Sequence, residues 1–392
     1  MTAHDHGTAS MPETGPRSQA PPGADAVSVE AVHRRPPRRG WRGAGSLVIT
    51  FAAALFLFVL AIQMMKTGAA SIAPHLQLVR WNALSTLGIG AILAYLWLSG
   101  KPVAAFALAL FAAGGLTRLQ AFTMLSGGRL GAAFIVLLVG FMYFVRGRTT
   151  NRRESIGVGV LALLLTAVVY VPGMLLGYAV LKTGALDGVR LTSTHLQGAV
   201  DVVWKPIVDW MAGGLPDALL LPLGGVVILI AIKLLDRVLP EFDPSRRARG
   251  DGARWRTHWP LFTLGFAITL VTFSVSVALT VLVPMAAKGY ITRREAIPYI
   301  MGANVATLAD TLLVAVLYNN AVGVQIVLAE AIGVALVTLV CLVFLYRPLS
   351  RGALAIDDWV VSTNRRLALF AVSLFVFPAL LVGAGFLIGP VT

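Results

Sequence analysis

The second half of the chain contains the stretch "FSVSVALTVLVPMAAKGYITRREAIPYIMGANVATL", from Phe273 to Leu308, on which the predicted fold depends. Shifted by 175 positions it aligns with "LSGKPVAAFALALFAAGGLTRLQAFTMLSGGRLGAA", from Leu98 to Ala133, and seven of the 36 aligned positions are identical. Upstream, "LAIQMMK" at 60–66 aligns with "IAIKLLD" at 230–236 at an offset of 170. The correspondence continues through the preceding helix, so the chain is predicted to contain two internal repeats.

Composition places these repeats in a membrane. Hydrophobic residues make up 57% of the chain and charged residues only 13%, whereas soluble domains carry roughly 25% charged residues. Apolar runs long enough to span a bilayer as helices recur along the chain. They lie at about 45–65, 155–180, 216–238, 323–346 and 367–388. We therefore expect an all-α polytopic membrane protein of the cell membrane.

The basic residues predict the topology. The net charge is +14, and 23 of the 32 Lys and Arg residues lie in five clusters, at 34–42, 146–153, 233–256, 288–294 and 347–366. Such clusters are typical of cytoplasmic loops, which argues against nucleic-acid binding. All five fall on the cytoplasmic side if about seven helices cross the membrane and two re-entrant hairpins, at about 82–112 and 259–285, enter and leave on one side. The first hairpin then enters from outside and the second from inside, so the repeats are inverted, with the N-terminus cytoplasmic. Nine full crossings are the alternative.

This topology divides the chain into six predicted segments. They are a disordered basic cytoplasmic tail at 1–44, the first inverted repeat with its following helix at 45–180, an extracytoplasmic segment with an interfacial helix at 181–215, the second inverted repeat with its following helix at 216–346, a cytoplasmic loop at 347–366 and a C-terminal transmembrane helix at 367–392. The hairpins contain helix breakers, Gly100 and Pro102 in the first and Pro284 at the predicted exit of the second. Irregular backbone at membrane depth is tolerated where protein or a water-filled cavity covers it.

Each repeat carries a serine turn 28 residues before a glycine-rich turn. In the second repeat the turns read "FSVSVA" at 273–278 and "GANVAT" at 302–307; in the first they read "LSGKPV" at 98–103 and "GGRLGA" at 127–132. This pattern resembles the sodium-dependent phosphate symporters of the type II Na/Pi cotransporter family, whose repeats carry Q-S-S-S-A-T and G-A-N-I-G-T-T turns. The resemblance covers roughly residues 45 to 346 and is clearer in the second repeat. It implies symport of sodium with inorganic phosphate or a related oxyanion, although both family glutamines are replaced here.

The two pairs of turns define the predicted binding site. An oxyanion in a membrane needs hydroxyls, amides and backbone N–H groups in place of water, and sodium takes oxygen ligands at broken helices. The candidate residues are Ser99, Lys101, Gly127, Arg129, Ser274, Ser276, Gly302, Asn304, Thr307 and Asp310. Four of them are possible sodium ligands: Ser274, Ser276, Asn304 and Thr307. The alternative is that these small polar residues only hold helices together.

Intramembrane charges depart from the family pattern. Lys101 and Arg129 place fixed positive charge where the family has neutral ligands, so we expect one or both to replace a bound sodium ion or to hold the anion directly. Alternatively, Arg129 extends to the outer interface. Asp310 lies within a spanning helix, where a carboxylate costs about 2.5 to 3.5 kcal/mol near the centre. It binds a cation or a proton, or pairs with Arg129 or Lys101. Glu330, inside helix 323–346, is a candidate proton carrier; simple burial is the alternative.

The sequence contains no nucleophile–base pairing, metal-ligand cluster or phosphate-binding P-loop, so neither an enzyme nor a cofactor is expected. The leading prediction is a secondary active transporter for phosphate or another small anion, with sodium as the coupling ion and the lipid bilayer as its environment. Two alternatives remain. One is a relative that no longer transports and acts as a membrane scaffold or sensor, and the other is a permease for a different solute.

Overall fold

The computed structural model describes residues 41–79, 81–147, 152–191, 194–238 and 258–389. All the regular elements in these ranges are helices. They are α1 (Trp41–Gln77), α2 (Ala83–Trp97), α3 (Gly100–Ala112), α4 (Arg118–Ala132), α5 (Phe134–Val145), α6 (Arg152–Lys182), α7 (Thr194–Gly214), α8 (Asp217–Val238), α9 (His258–Thr272), α10 (Val275–Thr280), α11 (Leu282–Ala287), α12 (Arg293–Ala306), α13 (Leu308–Leu317), α14 (Ala321–Val343), α15 (Tyr346–Val361) and α16 (Asn364–Ile388).

Seven spans in the described residues are long and apolar enough to cross a membrane, and seven is the number of crossings predicted from the sequence. They are α1, α4 with α5, α6, α8, α12 with α13, α14 and α16. The first helix is longer than predicted, because its apolar span runs from Gly45 to Gln77 rather than ending at 65. Residues 1–40 of the predicted tail lie outside the described residues. The predicted loop 347–366 contains α15, and the segment 181–215, where an interfacial helix is predicted, contains α7.

Shorter apolar helices occupy the two predicted hairpins. The first hairpin is α2 and α3, and the second is α9 followed by α10 and α11. Each arm has 15 residues or fewer, whereas a spanning helix needs about 20. The described chain therefore favours seven crossings with two hairpins over nine full crossings.

Both hairpins turn through the same backbone conformation. Leu98 has a φ of 52° and Phe273, 175 positions later, has a φ of 46°. Large side chains rarely adopt this left-handed region, and it is usually held in place by the surrounding structure. Ser99 and Ser274 follow as N-caps of the next helices. The two tips are therefore structurally equivalent, as the repeat predicts.

The helix after each hairpin also begins in the same way. Thr117 is the N-cap of α4 and forms a capping box with Gln120. Thr292 is the N-cap of α12 and forms a capping box with Glu295. In a capping box, two backbone N–H groups that the helix leaves unpaired are satisfied by side chains. Two independent helix starts at the predicted offset confirm that the alignment describes a structural repeat.

Pro284 lies inside the second arm rather than at its exit, which corrects its predicted place. The arm is divided at Val281, between α10 and α11. A proline nitrogen cannot donate to the carbonyl four residues earlier, here that of Thr280, and its ring crowds that carbonyl. The helix therefore breaks three residues before the proline.

Two aspartates of α15 hold the start of α12. Arg293 Nη1 donates to Asp357 Oδ2 at 2.5 Å and to Asp358 Oδ1 at 2.9 Å. The Asp357 side chain is fully buried. Burial raises the pKa of Asp357 to about 6, although the Arg293 contact acts in the opposite direction. The native state therefore holds this proton more tightly than the unfolded chain does.

Asp357 is expected to make the protein more stable in mild acid. Because its folded pKa is the higher one, the stabilising contribution is full below the unfolded pKa of about 3.9 and disappears as the pH rises through about 6. Thermal unfolding in detergent between about pH 7.5 and about pH 5 measures this effect. Asp357→Asn should flatten the profile, whereas the exposed Asp358→Asn should keep it. An unchanged profile in Asp357→Asn would contradict the prediction.

Candidate functional site

Arg129 joins the two repeats at the centre of the candidate site. It lies in the last turn of α4 and is only 3% exposed. Its Nη1 donates to Thr307 Oγ1 at 3.0 Å, and its Nη2 donates to Asp310 Oδ1 at 2.9 Å. Charge-assisted bonds of this kind are the strong ones in a protein interior. Arg129 therefore does not extend to the outer interface, and that alternative is wrong.

Asp310 also meets a second cation. Lys101, on α3 just after the first hairpin tip, places Nζ 3.8 Å from Asp310 Oδ2. The hydroxyl of Thr311 donates to Asp310 Oδ1 at 2.9 Å. Asp310 thus forms the pair with Arg129 and Lys101 that the sequence left open. Two cations share one buried carboxylate, so this three-residue cluster carries a formal charge of +1.

A cavity of about 310 Å³ opens beside the cluster. Lys101, Asp310 and Thr311 form its polar wall. Phe273 from the second hairpin tip lines the same cavity. The remaining lining is apolar and comes from α1, α8, α9 and α13: Phe51, Ala54, Leu55, Phe58, Ala231, Ile232, Leu235, Val271, Leu313 and Val314.

Asn304 makes its contacts with α6. Its amide nitrogen donates to Thr166 Oγ1 at 3.1 Å, and Tyr170 donates from its hydroxyl to the Asn304 carbonyl at 2.9 Å. All three residues are buried. Thr166 and Tyr170 are four residues apart on one face of α6, and they were not predicted. Their spacing of four residues is the one sequence signal that could have indicated them.

The remaining candidates divide between the hairpin tips and helix packing. The Ser274 hydroxyl accepts from Val277 N–H at 3.3 Å and so serves as a helix cap. Ser99 and Ser276 are half-buried near the tips. Gly127 and Gly302 lie at helix crossings, where a Cβ atom would be 2.0 Å from a neighbouring backbone oxygen. Lys101, Arg129, Thr307 and Asp310 are the predicted residues that direct contacts bring together.

Residues 227–355 match the family model described as Na+/Pi-cotransporter. Over that range the chain is similar to this family. The matched range contains α9 to α14, and therefore the second hairpin, Thr307 and Asp310, and it leaves out the whole first repeat. The family resemblance predicted from the sequence is confirmed. No curated protein matches the chain, and no solved structure does. Arg129 and Lys101 belong to the part of the chain outside the Na+/Pi-cotransporter match.

Proposed function

We propose that this protein is a secondary active transporter of the Na+/Pi-cotransporter type for inorganic phosphate or a related oxyanion, with a weakened dependence on sodium. The observation that supports this is the position of the Arg129 guanidinium, bonded to both Thr307 and Asp310. A hydroxyl and a carboxylate are oxygen ligands of the kind that sodium takes at broken helices. Arg129 supplies a permanent positive charge at the place where a sodium ion would supply a transient one.

The charge of the cluster supports an anion as cargo. Lys101 and Arg129 exceed Asp310 by one positive charge, and all three are buried, whereas Asp236, which faces Lys101 from α8, is only half-buried. An uncompensated buried charge is costly unless a partner neutralises it. An oxyanion entering beside Lys101 would neutralise the cluster and find one ammonium donor. Ser99, Ser274 and Ser276 at the hairpin tips are the remaining candidates to extend this site.

Uptake of labelled phosphate by proteoliposomes should survive the replacement of sodium by potassium. We expect the rate to fall by less than about tenfold, which corresponds to less than about 1.4 kcal/mol of coupling. Strict dependence on sodium would contradict a role for Arg129 in place of the ion. Absence of both uptake and phosphate exchange, with normal membrane abundance, would instead support a scaffold or sensor.

Two substitutions test the second half-site. Asn304→Ala removes the amide that bonds Thr166, and Ser276→Ala removes a half-buried hydroxyl near the tip. Both should lower uptake by about tenfold or more, the effect of losing one or two hydrogen bonds, while membrane abundance stays normal. Ser373→Ala, an exposed helical serine on α16, is the matched control and should leave uptake unchanged. Normal uptake in both variants would place the substrate elsewhere.

A further inference from the structure

Glu330 is a buried carboxyl group that the proposed transport site has not yet used. It lies within α14, is 0% exposed, and neither carboxylate oxygen has a hydrogen-bond partner in the described part of the chain. An ionised carboxylate in such a place is expensive, so a group of this kind in a membrane helix is a functional candidate by default. Its neighbours show which function it can serve.

Charged and titratable groups reach Glu330 from two sides. Arg129 faces it from α4 and Tyr170 faces it from α6. Asp310 on α13 faces Tyr170 and Arg129, and Lys101 on α3 faces Asp310. Helices α12 and α15 are the other two neighbours of α14. Their ionic contacts are with each other, between Arg293 and the pair Asp357 and Asp358. Glu330 therefore lies beside the cationic cluster of the proposed site, with Arg129 shared between them.

Ser126 is the hydroxyl group that lies beside Glu330. It faces Glu330 from α4 and is fully buried. Its hydroxyl donates to the Phe122 carbonyl at 3.0 Å. A hydroxyl has one proton to donate and two lone pairs to accept with. Ser126 can therefore accept from a protonated Glu330, or turn its proton from the Phe122 carbonyl to an ionised Glu330. It is suited to both states of Glu330, whereas the charge of Arg129 attracts the carboxylate.

We propose that Glu330 binds the coupling proton of this transporter. With Glu330 neutral, Lys101, Arg129 and Asp310 leave a charge of +1 for an oxyanion; with Glu330 ionised, that charge is cancelled. Proton and oxyanion therefore bind with positive coupling, which is reciprocal by thermodynamic necessity. The proton is taken from water on the side of uptake, carried on a Glu330 oxygen, and released to water on the other side. The oxyanion crosses chemically unchanged. This inference rests on the proposed function.

Two measurements on the full chain in proteoliposomes test the inference separately from the transport function. Exchange of labelled for unlabelled phosphate at equal pH reports transport alone. Net accumulation reports coupling when the outside is about one pH unit more acidic, with potassium and valinomycin holding the membrane potential at zero. At one proton per anion, this gradient sustains about tenfold accumulation in the wild type.

Glu330→Gln keeps the shape of the side chain and fixes it in the neutral form. It should keep phosphate exchange, make that exchange independent of pH, and abolish the accumulation driven by the pH gradient. Glu154→Gln, at the start of α6, is the matched control and should retain both activities. Accumulation by Glu330→Gln at the wild-type level would overturn the inference.

The wild type provides a second test that needs no variant. Exchange without any accumulation under the pH gradient would also overturn the proton site and would leave the transport function standing. Absence of exchange in the wild type would instead overturn the transport function itself.

Discussion

Asp310→Asn is expected to lower the free energy of unfolding by about 3 to 5 kcal/mol, the cost of leaving a buried cation without its partner. The substitution keeps the size of the side chain and removes its charge. Arg129 and Lys101 would then face one another across a neutral amide in a cluster that is more than nine-tenths buried. Thermal unfolding in detergent and the amount of monodisperse protein after solubilisation measure the loss.

Removal of the cation instead of the carboxylate should lower the free energy of unfolding far less. Arg129→Gln leaves Lys101 and Asp310 as a balanced pair, and its amide can still donate to Thr307. The double variant of Asp310→Asn with Arg129→Gln should recover much of the loss, because it leaves only Lys101, which Asp236 faces from α8. Such recovery is the coupling expected of residues in direct contact. If Asp310→Asn were as stable as Arg129→Gln, the cluster would not be held together by charge.

The crossings, the hairpins and the repeat were predictable from the sequence because they follow from long-range regularities. Apolar runs of spanning length define helices without reference to any neighbour. The offset of 175 gave the equivalence of Thr117 with Thr292, which the two capping boxes confirm. Local chemistry alone identifies such helix starts.

The partner of Asp310 could not be decided in the same way. The sequence allowed a cation, a proton, Arg129 or Lys101, and the choice depends on where α3 and α4 meet α13. The structure brings both cations to one carboxylate. Thr166, Tyr170 and Ser126 were missed for a related reason. Single hydroxyls in apolar helices also serve as interhelical contacts, so only their neighbours distinguish them.

The hairpin tips show a different limit of sequence reasoning. A left-handed backbone normally indicates glycine or asparagine, yet the tips carry Leu98 and Phe273. The amino-acid types at these two positions therefore do not predict a left-handed turn. Tertiary packing of the two arms imposes the conformation of the tips. The sequence indicates only that the two tips are equivalent, through the alignment of the repeats.

Gly127→Ala and Gly302→Ala are expected to be among the most damaging single-methyl additions in the part of the chain that the structure describes. The new Cβ would lie 2.0 Å from the Leu87 carbonyl oxygen in the first case and 2.0 Å from the Phe262 carbonyl oxygen in the second. Backbone oxygens in helices cannot move aside as a flexible side chain does, so α2 must separate from α4, and α9 from α12. Overpacking typically costs about 1 to 3 kcal/mol and occasionally more, against a gain of about 1 kcal/mol in helix propensity.

The two glycines are equivalent positions of the repeat, so their substitutions should lower the unfolding temperature to a similar extent. Gly383→Ala in α16 is the matched control, because a Cβ there meets no atom within 4 Å. It gains the same helix propensity without the clash and should be neutral or slightly stabilising. Unfolding temperatures of the three variants in one detergent decide the matter. If Gly127→Ala and Gly302→Ala were as stable as Gly383→Ala, the close crossings that define the repeat would be absent in the folded protein.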